Sequence, residues 1–164
     1  MATQVQFRRG TTSQHGSFTG AVGEITVDTD KDTVVVHDGS QAGGFAIPNL
    51  KTAQEFTKTQ NFNATSLTDD VNIAWDASSN QVAKVTLGGN RTLSAATNQV
   101  DGAVYVLSVT QDGSGSRTLS FNSNYKFTGG TAPTLTTTAS ATDILVFLSN
   151  GTNMQEIGRS LNVS

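Results

Sequence analysis

Apolar and polar residues alternate in short runs along most of this chain. Gln4-Val5-Gln6-Phe7-Arg8 alternates with a period of two, and Glu24-Ile25-Thr26-Val27-Asp28 does the same. The stretch from Thr33 to His37 is β-branched at four successive positions. A two-residue period lines one face of an extended chain, so three short strands are expected between residues 4 and 38. The polar bend Thr29-Asp30-Lys31-Asp32 has the side chains that close a tight turn by bonding to nearby backbone, which predicts a hairpin between the second and third strands. Asp38-Gly39 ends the third with a residue free to take positive φ. These elements predict a small β-module over residues 1–42.

The next segment reads differently. Gly39, Gly43, Gly44 and Pro48 form a flexible punctuation. Leu50, Ala53 and Phe56 then fall at intervals of three behind a possible Asn49 cap, consistent with one or two helical turns over 49–58. An extended reading competes: Gln54-Glu55-Phe56-Thr57-Lys58-Thr59 and Gln60-Asn61-Phe62-Asn63-Ala64-Thr65 are two copies of a six-residue unit, and an even period keeps both phenylalanines on one face. Either way, residues 43–69 are expected to form a neck with Leu50, Phe56 and Phe62 at a trimer axis.

From residue 70 to 164 the pattern is strand and turn. Candidates lie at 71–75, 81–87, 91–94, 103–110, 117–121, 134–138, 143–148 and 153–157, a spacing typical of a β-sandwich or barrel-like module. Gly88-Gly89-Asn90, Gln111-Asp112-Gly113-Ser114-Gly115, Gly129-Gly130 and Asn150-Gly151 supply residues suited to tight reversals, the second read as hairpin-type. Trp75, the only tryptophan, falls on the same alternating face as Val71 and Ile73 and is expected in a core or subunit interface. The fold class is therefore all-β.

Composition turns this module list toward assembly. Only 35% of the 164 residues are hydrophobic and 14% are charged, with a net charge of −3. Low charge and recurrent β-branched runs argue against disorder. A lean core in a small chain sits close to the limit of stability, because ordering each residue costs roughly 1–2 kcal/mol of backbone entropy. Association between copies relieves that. No cysteine is present, so disulfides and thiolate chemistry are excluded. No signal-peptide pattern or membrane-length apolar run is found, no apolar stretch being longer than the five residues at 144–148, and neither membrane insertion nor secretion by a leader is expected. The largest basic cluster is Arg8-Arg9, too small to track nucleic acid.

Two blocks carry a resemblance. Val5-Gln6-Phe7-Arg8-Arg9-Gly10-Thr11-Thr12, Gly23-Glu24-Ile25-Thr26-Val27-Asp28 and Val36-His37-Asp38-Gly39 together resemble the N-terminal module of many phage tail-fibre and host-range proteins. Leu87 to Leu93, Gly102, Val109 to Leu119, Tyr125-Lys126-Phe127, Gly129 to Leu135 and Asp143-Ile144-Leu145 resemble a β-module found in phage structural proteins, often fibre tips or decorations. The resemblance implies a homotrimeric, extended β assembly on the surface of a virion. Its first module would dock to another virion protein, with Val5, Phe7, Arg8 and Arg9 as the docking residues. The alternative it leaves open is a capsid or neck decoration protein without receptor specificity.

Catalytic chemistry finds no constellation. His15 and His37 lack the spacing of a metal pair or of a base with its orienter, and both are expected to be structural. Asp28-Thr29-Asp30-Lys31-Asp32 opens like a calcium loop but has Thr33 where that loop needs glycine and Gly39 where it needs glutamate. Asp69 and Asp70 are adjacent, so on a strand they point to opposite faces and cannot flank one glycosidic bond. Gly113-Ser114-Gly115 stands in a turn, not between a strand and a helix as a nucleophile elbow does. Three Asn-x-Thr triplets, at Asn63, Asn90 and Asn150, are chance sequon matches. No enzyme activity, metal or cofactor is expected. For recognition, Asn122, Asn124, Tyr125 and Lys126 form a polar-aromatic segment of the kind that can stack on a sugar, although an ordinary hairpin flank is the commoner reading of such a segment; a host surface glycan is the external ligand considered.

Overall fold

The computed structural model describes residues 5–49, 58–79 and 81–163. The chain divides into two compact units, Met1–Gln60 and Asn61–Ser164. Both are built from strands, and the fold is all-β with a five-residue helix and a single 3-10 turn among the described residues. The expected helical turns at 49–58, with Leu50 and Phe56, lie outside the described residues except at their two ends.

In the first unit, β1 (Arg9–Gly10), β2 (Ile25–Asp28), β3 (Thr33–Val36) and β4 (Phe45–Ala46) form one sheet in that order. The β2–β3 hairpin is antiparallel as expected, with Val27 opposite Val34. Its turn is held by the Asp28 carboxylate, which accepts the backbone N–H of Asp30 at 3.0 Å and of Lys31 at 3.3 Å. The expected strand over Gln4–Arg8 is corrected: residues 5–8 are not in a strand, and pairing starts at Arg9, parallel to Val27. The N–H of Val27 to the carbonyl of Arg8 is the first ladder bond, so the alternation of Val5 and Phe7 lies on chain without a neighbouring strand. Residues 39–48, read as flexible punctuation, contain β4, which pairs with β3 through Val36 opposite Phe45. A helix, α1 (Thr12–Gly16), was not anticipated, although Thr11 and Gln14 form the reciprocal capping box that a Thr-x-x-Gln sequence signals.

The interior of this unit is polar. His15, Thr26, Asp28, Thr33 and His37 are buried together with Val35. His15 Nδ1 lies 3.0 Å from the Thr11 carbonyl, which can only accept, so Nδ1 carries the proton. In the neutral ring Nε2 must then accept, and the Thr26 hydroxyl stands 2.8 Å away to donate. The same oxygen lies 2.9 Å from His37 Nε2 and accepts from it, leaving His37 Nδ1 to accept the Gly20 N–H at 3.4 Å. Every polar atom in this row is satisfied in one direction of donation. Glycine is required beside it: a Cβ on Gly20 would fall 2.5 Å from the His37 ring, and one on Gly44, whose φ is +59°, would fall 2.8 Å from His37 Nδ1.

The second unit comprises β5 (Thr65–Ser66), β6 (Asn72–Ile73), β7 (Val82–Leu87), β8 (Arg91–Leu93), β9 (Val104–Gln111), β10 (Leu119–Phe121), β11 (Tyr125–Lys126), β12 (Thr142–Ser149) and β13 (Met154–Val163). Six of them form a sheet ordered β11-β13-β12-β9-β7-β5, and the other three a sheet ordered β10-β8-β6. The two enclose one apolar core: Ala83, Val85, Leu87, Tyr105, Leu107, Val109, Leu145 and Phe147 from the large sheet meet Ile73, Leu93 and Leu119 from the small one. Trp75 is in that core, its ring edge-on to Tyr105 at 5.9 Å, while Val71 is exposed because the strand there covers only two residues.

Glycine-rich reversals suggested hairpins, and here the structure differs. β7 runs parallel to β9, β8 to both β6 and β10, β5 to β7 and β11 to β13. The turn at Asp112–Gly115 leads from one sheet to the other instead of joining two paired strands. Only Asn150-Gly151 closes a hairpin, between β12 and β13. The expected strand at 134–138 is also corrected. That segment is extended and buries Pro133 and Leu135, but the Thr136 N–H and hydroxyl go to the buried Asp143 carboxylate at 2.7 and 2.8 Å, not to a neighbouring strand. Asp143 also accepts the Asn162 N–H at 2.8 Å, tying the end of β13 to the same anchor.

Three outcomes are expected. Thr26→Val, which keeps the shape and removes the hydroxyl, should destabilise the first unit by at least about 2 kcal/mol, since two buried ring nitrogens lose a partner; hydrogen exchange over β2 and β3 reads this. Asp143→Ala should cost about 3 kcal/mol in the second unit by stranding two backbone N–H groups, measured by urea unfolding with the fluorescence of Trp75. For Asp28, burial alone would raise the carboxyl, but the Thr12 hydroxyl and two turn N–H groups override it and hold it below the usual range. Its stabilising effect is thus complete above the ordinary carboxylate value of about 4 and is lost as pH falls through the depressed value. Asp28→Asn should remove that part of the acid transition of the first unit's NMR signals.

Candidate functional site

Paired residues in a sheet share a face, so the register of the first unit sorts its side chains into two sets. Thr26 and Val35, and Asp28 and Thr33, point into the polar interior. Ile25 with Val36, and Val27 with Val34, point the other way. Phe45 joins them opposite Val36, and Ile47 continues the alternation, its N–H bonding the Val34 carbonyl at 2.8 Å. Ile25, Val34, Phe45 and Ile47 are 43, 38, 57 and 50% exposed. Hydrophobic residues are thus outside and histidines inside, the reverse of an ordinary globular sheet. This exposed apolar face is the candidate interaction surface of the first unit.

The expected docking residues lie at the start of this unit. Val5 and Phe7 are exposed and have no strand to lean on. Arg8 pairs with Glu24 at 2.8 Å, and its guanidinium stacks over the Phe18 ring at 4.9 Å. Arg9 is exposed in β1. Arg8, Arg9, Gln14, His15, Phe18 and Thr26 line an open depression of about 240 Å³ with the buried His15–Thr26 pair at its base.

In the second unit the expected sugar-binding residues are adjacent but not equally available. Asn122 and Lys126 are exposed. Asn124 donates its amide to the Thr152 carbonyl at 3.0 Å, which fixes it as a loop brace. Tyr125 is only 4% exposed, packs edge-on against Phe121 and Phe147, and donates its hydroxyl to the Ser94 carbonyl at 3.1 Å. Burial pushes its phenol far above the usual range, so the ring serves the core and does not offer a stacking face to a ligand. Phe62 of the expected neck is exposed, and Leu50 and Phe56 lie outside the described residues. Among the described residues no group of three or more acidic, histidine or cysteine side chains is placed to hold a metal ion.

The apolar face was missed in the sequence: β2 and β3 were read as strands, but the segment with Phe45 and Ile47 was read as flexible punctuation. Alternation says which residues share a face but not which face is inside, and the apolar set was the natural choice for the core. The available signal was the opposite set: Thr26, Asp28, Thr33 and His37 can all pair with one another or with backbone, so they are able to fill an interior.

Comparison with known proteins finds matches within each of the two units. Residues 5–41 match a family model described as the Major tropism determinant N-terminal domain, and residues 73–154 match one described as a putative phage tail fibre C-terminal domain. The chain is 55% identical over 75 residues to a tail fiber receptor-binding protein of Bordetella phage BPP-1, covering 39% of this chain and 20% of that protein. Among solved structures, the Major Tropism Determinant I1 variant is 71% identical over 27% of this chain and 12% of its own, with a TM-score of 0.27. The M1 variant is 28% identical over 93% of this chain and 42% of its own, with a TM-score of 0.29. The chain therefore spans about a fifth of the length of its curated relative. These matches are to tail fibres and tropism proteins and give no support to a capsid or neck decoration. With the tail-fibre model covering half of the chain, across the core of the second unit, this protein belongs to the phage tail fibre C-terminal domain family and is a structural component of the virion surface.

Proposed function

We propose that the chain is a non-enzymatic, homotrimeric fibre that attaches a phage to its host, with the first unit as the assembly end and the second as the display end. The observation that carries this reading is the outward face of Ile25, Val34, Phe45 and Ile47 on a unit whose own interior is already filled by polar groups. That face bears no use for a monomer in water, and copies of the chain cover it without bringing charge against charge. Folding and association are then coupled, as the lean composition requires.

Within this reading residues 1–42 dock to another virion protein through Val5, Phe7, Arg8 and Arg9, residues 43–69 form the trimeric neck with Leu50, Phe56 and Phe62, and residues 70–164 face the host. The external ligand is a surface glycan held weakly at each copy and firmly by several copies together. Asn122 and Lys126 are the exposed members of the expected receptor segment, and Tyr125 supports their loop from the core. The receptor-binding name of the relative from Bordetella phage BPP-1 supports the attachment role. The second unit's turns contribute shape and hydrogen bonding to that display.

Light scattering of the purified chain should give three times the monomer mass, and the pair Val34→Asp with Phe45→Asp should reduce it to the monomer. A wild-type monomer would overturn the assembly. Binding to host-cell glycans on an array should weaken at least about tenfold when trimers are dissociated, because multivalent display is lost.

A further inference from the structure

The outer face of the large sheet, away from the core of the second unit, holds a depression of about 410 Å³. Its floor follows from register. Val85 and Val109 point into the core, so Lys84, Thr86, Ser108 and Thr110, one position away on the same strands, point outward. Lys84 pairs with Ser66 on β5 and with Ser108 on β9, and Thr86 pairs with Thr110. One wall is the chain that leaves β5: the Leu67 N–H bonds the Lys84 carbonyl at 2.8 Å while its side chain packs against the core. The volume falls within the roughly 300–1,000 Å³ of small-ligand sites.

Charge singles this depression out. The second unit has five cationic side chains, and its three arginines each hold a carboxylate: Arg91 with Asp69, Arg117 with Asp112 and Arg159 with Glu156. Lys84 holds none among the described residues, and no acidic side chain lines the depression. An acid is the stabilising cross-strand neighbour of a lysine, and here both neighbours are serines. We infer that this depression binds an acidic sugar, whose carboxylate pairs with Lys84 and whose hydroxyls bond the Ser66, Thr86, Ser108 and Thr110 side chains. A serine or threonine hydroxyl both donates and accepts, as the hydroxyls of a sugar ring require. The ammonium-to-carboxylate bond is charge-assisted and roughly twice as strong as a neutral one. A single cation matches the single carboxylate of a sugar residue and is too few for a polyphosphate, which is held through many contacts. The inference rests on the glycan-attachment reading above; it names the class of the glycan and gives it a seat away from the 122–126 segment.

Oligosaccharides containing glucuronate, galacturonate or sialate are printed on an array beside their carboxyl-reduced counterparts and neutral glycans, and probed with the full-length chain. At least one acidic glycan should bind, its carboxyl-reduced form should bind at least about tenfold more weakly, and Lys84→Gln should lose a similar factor. Thr86→Val, at an exposed strand position that suits valine, should lose about threefold. Lys31→Gln, which removes an equal charge from the turn of the first unit, should lose nothing. Trp75 fluorescence confirms that the second unit is folded in each variant. Binding that survives both carboxyl reduction and Lys84→Gln, or that Lys126→Gln abolishes while Lys84→Gln leaves it intact, overturns the inference and leaves the attachment reading standing. A folded chain that binds no glycan overturns both.

Discussion

A β-strand can turn only half of its side chains toward any one interior, because successive Cβ atoms point to opposite faces. The structure of this chain follows from how it uses the other half. In a solitary antiparallel domain those residues are polar and face water. Here, in both units, part of the outward set is apolar: Ile25, Val34, Phe45 and Ile47 in the first, and the Val106–Val146 row in the second. Each unit has a completed interior of its own and a further surface that remains apolar.

The first unit shows how the constraint is met at small size. A unit of sixty residues has little apolar area to spare for a conventional core. The interior is filled instead by a row of hydrogen bonds from Thr11 through His15, Thr26 and His37 to Gly20, with Asp28 bracing the hairpin and α1 from the side through Thr12. Buried polar groups are tolerated only when each is satisfied, and this row satisfies each ring nitrogen in one consistent direction. The arrangement fixes the backbone around it, since Gly20 and Gly44 must approach the His37 ring more closely than any side chain permits.

The second unit meets the same constraint with a larger apolar core and a different closure. Its hydrophobic centre is shared by two sheets, while its ends are pinned by charged or amide side chains that bond to backbone. Asp143 gathers the 131–138 segment and β13, Gln111 holds Arg117 through both its amide atoms, and Arg91 grips Asp69 beside Gly88. Such anchors let long irregular connections lie against the sandwich without forming strands.

The sequence by itself determined the all-β class, the strand positions from 24–37 and 81–121, the buried Trp75 and the structural character of both histidines, because local alternation and turn chemistry are written in consecutive residues. It also pointed to the phage-fibre resemblance through motifs at fixed spacing. Tertiary structure alone decided which face of each strand is inside. Alternation is symmetric between the two faces, and only the closure of His15 onto Thr26 and His37 made the polar set of the first unit its core. Pairing partners were likewise invisible: glycine-rich reversals look the same whether they return a strand to its neighbour or pass it to the opposite sheet, and the parallel ladders of β7 with β9 and β8 with β10 arise from contacts distant in sequence. Tyr125 marks the same boundary. Its local sequence is that of a polar loop, and only packing against Phe121 and Phe147 withdraws its ring from the surface.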